Sequence, residues 1–205
     1  MQAHSPTRET PMQLLTMLTT AALLGAPPVP PAQAADTACQ VLNPTRVPVE
    51  GRKSPLDSVT FTVAKQPVKL CYGRPSSRGR VMLGGEAIPW GKLWRTGANE
   101  PTIFFTPVAL TIAGIEVPPG AYSLYTVPSA TDWDIIVNRS IKQWGEESNY
   151  TAAVKAQEVG RAKVPSKRLD RPVETFTIRG EPAGGGATLV LEWEKTRVNI
   201  PIEPA

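Results

Sequence analysis

Short runs that alternate apolar and polar residues, each closed off by proline or glycine, recur from residue 56 to residue 202 and leave this chain few ways to fold. "SVTFTVA" sets Val59, Phe61 and Val63 against Thr60 and Thr62, and "VKLCY" puts Val68, Leu70 and Tyr72 on one face. "WDIIVN" alternates Trp133, Ile135 and Val137, and "ETFTIRG" alternates Phe176 and Ile178. A period of two is the signature of half-buried strands, and proline and glycine every few residues supply turns. The expected class is therefore all-β and mainly antiparallel: a single-domain β-sandwich or barrel-like sandwich with one long structured loop and at most one short helix. The 22 prolines fit many turns and blunted sheet edges. Turns are expected at Ala113-Gly114, at Pro118-Pro119-Gly120 and in the "GGGA" patch of residues 184–187. "TLVLEWEKTRVNIPIE" reads as a hairpin turning near residues 194–196. Residues 150–157 read as a short helix or loop, followed by a strand through Val159, Ala162 and Val164.

The N-terminal part is of another kind. Residues 12–26, "MQLLTMLTTAALLGA", are apolar and uncharged, too short to span a bilayer, and followed by "PPVPP" and Ala32-Gln33-Ala34. This reads as a cleaved secretory signal in residues 1–34, with cleavage near Ala34. An extended segment, residues 35–55, then leads into the β-sandwich domain, residues 56–205. The expected location is periplasmic or secreted, with no transmembrane segment in the mature chain.

Cleavage would also remove His4, the only histidine. A mature chain without imidazole excludes Ser-His-Asp and Cys-His catalysis and every metal site with histidine ligands. No catalytic residue, metal or cofactor is assigned. The net charge of +4 is spread along the chain, which argues against nucleic acid as a partner. The two cysteines, Cys39 and Cys71, are read as a disulfide, natural in an oxidising compartment.

The chemistry-bearing stretch is residues 72–105, long for a connection between strands and densest in "WGKLWRTGANEPT". Arginine forks suit carboxylate, phosphate or sulfate, and indole faces suit sugars or cations. The candidate ligand-binding residues are Arg80, Trp94, Arg95, Asn99 and Glu100, with Tyr122, Tyr125 and Trp144 from later in the chain. A purely structural reading stands beside it: Gly97-Ala98-Asn99 is turn chemistry, Arg80 or Arg95 pairs with Glu100, and Trp90 and Trp94 cap the core.

"GRVMLGGEAIPWGKLWRTGANEPT", "PPGAYSLYTVP", "WDIIVN", "QWG" and "LVLEWEKTRVNIPI" together resemble the bacterial family catalogued as domain of unknown function 2911, over about residues 55–202. The resemblance implies an exported or envelope-associated β-rich protein and carries over no activity. It also makes the glycosylation sequons at Asn138 and Asn149 incidental. Three readings follow. The first is an envelope binding module for a small anionic, glycan or peptide ligand. The second is a structural or assembly protein without a ligand site. The third is a carboxylate-based hydrolase or lyase built on Glu86 and Glu100, the acids inside the motif.

Overall fold

The computed structural model describes residues 1–2, 38–42, 45 and 47–205. The expected signal segment and its cleavage point lie outside these residues. Nine strands account for the fold: β1 Leu56–Val63, β2 Gln66–Gly73, β3 Thr102–Thr106, β4 Leu110–Ile112, β5 Ile115–Val117, β6 Gly120–Pro128, β7 Asp132–Asn138, β8 Glu158–Ala183 and β9 Gly186–Pro204. They form one antiparallel sheet in the order β1-β2-β3-β6-β7-β8-β9-β4-β5, with no closed barrel. After a 3-10 turn at Glu147–Asn149, one α-helical turn, α1 Ala152–Lys155, is capped by the Thr151 hydroxyl, which accepts from the backbone N–H of Val154. Among the described residues no helix is long and apolar enough to cross a membrane.

The two longest strands fold this sheet over itself. β8 pairs through Glu158–Pro165 with β7, and its later residues pair with β9. The end of β9 then pairs with β4 through Ile202 and Pro204. Phe61, Val68, Leu70, Phe104 and Leu124 of the first half thereby face Leu110, Ile112, Leu189 and Ile202 of the second. The gap left among these side chains is about 10 Å³ and wholly apolar, with no polar partner to hold a water. Alternation thus places the inner faces as the period of two demands.

The outer face of β3 and β6 is also covered. Cys71, Ile103 and Phe105 form a second small cluster with Cys39, Ala121 and Ile141. The Cys39–Cys71 disulfide is present, with Cα atoms 5.5 Å apart. The connection between β7 and β8 lies over Tyr125: Gln143 Nε2 donates to its hydroxyl at 3.0 Å, and the Tyr150 ring meets its ring edge-on at 4.7 Å.

One expected turn is corrected. No hairpin forms at residues 194–196; β9 runs unbroken through them, with Glu194, Thr196, Arg197 and Val198 all paired to β8. Glu194 takes a left-handed φ of 50°, but as a local distortion opposite a bulge in β8 and not as a reversal. The reversal lies where Gly184 and Gly185 join the two strands. That stretch carries the glycines a tight turn wants, and residues 194–196 carry none.

Candidate functional site

Residues 74–101 make the long loop, and the bulged part of β8 holds its first half. β8 slips register against β9 between Arg168 and Val173 and again between Val173 and Thr177. The distortion aims the Glu174 carbonyl at two donors, Ser77 N–H at 2.9 Å and Trp193 Nε1–H at 3.0 Å. Phe176 N–H donates to the Pro75 carbonyl at 2.8 Å. A few residues on, the Glu194 carboxylate accepts from Met82 N–H at 2.9 Å and Leu83 N–H at 2.8 Å. A carboxylate holding two successive amides is a strong clamp.

Trp94 pins the second half. Its backbone exchanges hydrogen bonds with Thr126 at 2.7 and 2.9 Å, and its indole lies 5.0 Å from Phe176 and 5.9 Å from both Trp133 and Trp193. Trp94 Nε1–H donates to the Gly97 carbonyl at 3.0 Å, so the buried indole has its polar partner. After it the chain turns through left-handed Thr96 (φ 55°) and Asn99 (φ 66°). The turn presses on the end of β2: a Cβ at Gly73 would lie 1.9 Å from the Ala98 carbonyl oxygen, which requires glycine there.

Glu100 points away from the cleft, into a buried clamp. Its oxygens accept from Arg52 Nη1 at 2.9 Å, Arg52 Nη2 at 3.0 Å and Leu42 N–H at 3.3 Å. The two side chains are 1% and 2% exposed. Arg52 Nη2 and Nε also reach the carbonyls of Val47 and Pro48. The expected pairing of Glu100 with Arg80 or Arg95 is therefore corrected: its partner is Arg52, from the N-terminal segment. Trp90 is corrected too. It is 42% exposed and lies over Gly84, and only Trp94 of the two enters the core.

An open cleft of about 360 Å³ lies between these parts. Five of the eight expected ligand-binding residues line it: Arg80, Trp94, Arg95, Asn99 and Trp144. Val47 and Ser54 of the N-terminal segment, Met82 and Ile88 of the loop, Glu146 and Trp193 are also among its lining residues. Asn99 Nδ2 donates to the Ser54 carbonyl at 3.2 Å, tying the loop to that segment. Arg95 is half-buried; its Nη1 donates to the Asn99 carbonyl at 3.1 Å, and its Cδ lies where a Cβ at Gly145 would come within 2.6 Å. The glycine of "QWG" is thus what lets that backbone lie along the arginine stem. Burial pulls the Arg95 guanidinium below its ordinary pKa, opposed by the negative charge of Glu146. Arg80 is exposed at the rim, donating from Nε to the Ser77 carbonyl at 3.1 Å. Among the described residues neither arginine has a carboxylate within ion-pairing distance.

Tyr122 and Tyr125 stand apart from the cleft. Tyr122 stacks on Phe104 at 5.3 Å and donates to the Pro118 carbonyl at 2.9 Å. Tyr125 is buried beneath Gln143 and Tyr150. Burial raises the pKa of both phenols. Asn138 of the first sequon is buried, its amide donating to the Val154 carbonyl at 2.7 Å. Among the described residues no three His, Cys, Asp or Glu side chains converge as a metal site requires. Sequence reasoning missed Arg52, Ser54, Glu146 and Glu194. Glu146 alone had a signal, following directly on the "QWG" motif.

A family model described as "Protein of unknown function (DUF2911)" matches residues 54–202, well over half of the chain, and the chain belongs to that family. No curated protein and no solved structure matches it.

Proposed function

We propose that this DUF2911 protein is an exported binding module whose cleft takes a small anionic, glycan or peptide ligand. One observation carries the reading. Arg80, Arg95, Asn99, Trp94 and Trp144, drawn from two distant stretches of the chain, line the same open cleft, and neither arginine is ion-paired there by a described residue. A concave site where polar groups converge beside apolar side chains is a usual form of small-molecule site. Glu100, Tyr122 and Tyr125 leave the candidate list and take structural roles, the part of the structural-lock reading that their contacts favour. The hydrolase reading loses its buried acid, because Glu100 spends both oxygens on Arg52 and Leu42.

Titration of the purified protein with small carboxylates, phosphate esters, disaccharides and short peptides, followed by tryptophan fluorescence and protein-observed NMR, tests the reading. Binding that perturbs Trp144 and is lost in Trp144→Ala is the expected result. A complete absence of binding across the panel would remove the reading. Export is part of the proposal, supported by the apolar N-terminal run and by a disulfide that suits an oxidising compartment. Mass spectrometry of the protein from its native host should find an N-terminus at Ala35 or Asp36. An intact Met1 would overturn export.

A further inference from the structure

We infer that the cleft selects a monocarboxylate carried on an apolar body, with the carboxylate side-on against the Nε–Nη2 edge of Arg95. The inference rests on the binding reading above and names its ligand class. Nη1 of Arg95 is committed to the Asn99 carbonyl, whereas Nε and Nη2 have no acceptor among the described residues. Those two nitrogens carry parallel N–H bonds in one plane, the fork that a carboxylate's two oxygens match. The fork is already oriented, because the arginine stem is boxed in by Gly145 and by the Asn99 carbonyl. A half-buried guanidinium whose one acceptor among the described residues is a neutral carbonyl gains from an anion entering the cleft.

Two further features choose among anions. Among the described residues the charged lining is Arg80, Arg95 and Glu146, and the Glu146 carboxylate disfavours a phosphate dianion more than a singly charged carboxylate. Arg80 adds little to a second oxyanion, because its Nε and Nη2 already reach the Ser77 and Ser76 carbonyls. Met82, Ile88, Trp94 and Trp193 form an apolar wall, and the two indole N–H groups there are already committed to the Gly97 and Glu174 carbonyls and not open to sugar hydroxyls. That wall suits an aromatic or aliphatic body.

The test compares three probes of one shape on the wild-type protein by protein-observed NMR: phenylacetate, its neutral analogue phenylacetamide, and phenyl phosphate. Phenylacetate should bind about 10- to 100-fold more tightly than the amide, the range of one charge-assisted fork, and more tightly than phenyl phosphate. Arg95→Lys keeps the charge and loses the fork, so phenylacetate affinity should fall about tenfold or more, while Arg80→Gln changes it less. The wild-type comparison stands even if the Arg95 variant fails to fold. Equal binding of acid and amide, or tighter binding of phenyl phosphate, overturns the carboxylate assignment. If disaccharides or peptide amides still bind in a Trp144-dependent way, the binding module survives without it. If nothing binds, both fall.

Discussion

The two walls of the cleft are built by different physics. One wall rests on the aromatic cluster of Trp94, Trp133, Phe176 and Trp193, packed between β7, β8 and β9. The other is the N-terminal segment that contributes Val47 and Ser54. It is held by the buried Arg52–Glu100 pair, the Asn99–Ser54 hydrogen bond and the Cys39–Cys71 disulfide. A packed wall fails with the fold, because its contacts are the core. A stapled wall can detach while the core stays intact.

Removing the centre of the packed wall should have the largest effect. Trp94→Ala should destabilise the whole domain by about 3–5 kcal/mol, as large core truncations do, with a single transition lowered in urea. If the loss were under about 1 kcal/mol, the cluster would not hold that wall.

The staples come next and should act locally. Replacing Cys39 and Cys71 by serine opens a link between residues 32 apart, which the chain-entropy model values at about 3–4 kcal/mol. Hydrogen exchange should rise in residues 47–55 and little in β3, β6 and β9. Uniform acceleration across the sheet would erase the distinction between the walls. Glu100→Gln leaves the Arg52 charge buried without its counter-charge, and should cost about 3 kcal/mol. Arg52→Met combined with Glu100→Leu should recover much of that, since replacing both partners removes the unpaired charge. A double variant as unstable as the single one would make the ion pair more than a staple.

Glu194→Gln should have a smaller effect, about 1–2 kcal/mol, because the amide oxygen still accepts from one of the two loop N–H groups. Thermal unfolding would measure it.

pH separates the walls less sharply, because all four tyrosines lie within the folded sheet and its coverings. Burial raises the pKa of Tyr72, Tyr122, Tyr125 and Tyr150, and the Glu158 carboxylate adjoining Tyr150 raises that one further. A phenol raised in the folded state contributes stability that is intact below the ordinary tyrosine pKa of about 10 and is lost as pH rises through the folded value. Absorbance at the tyrosinate band should therefore stay flat near pH 10 in native protein and rise together with unfolding. A tyrosine titrating normally in the native protein would contradict its burial.

Much of this fold was legible in the residues. The alternations in β1, β2, β7 and the later part of β8 placed Phe61, Val63, Leu70, Ile135 and Phe176 inside. The same reading failed at residues 194–196, where a polar break in the pattern resembled a turn but lies opposite a bulge in β8, with Glu194 bonded to a loop residue 112 positions away. Trp90 and Trp94 show the limit within the loop itself. They are the same residue four positions apart, one exposed and one buried, with no periodicity to tell them apart.

Local pattern carried most of the strands and their inward faces, and a pair of rare residues and a set of motifs carried the disulfide and the family. The roles of the charged residues became readable only in three dimensions. Glu100 finds Arg52 across 48 residues, with β1 and β2 between them, and so Arg95 is left facing the cleft. Charge pairing has no period along a chain. It depends on which groups burial brings within about 4 Å of each other, and that distance exists only once the sheet has folded over.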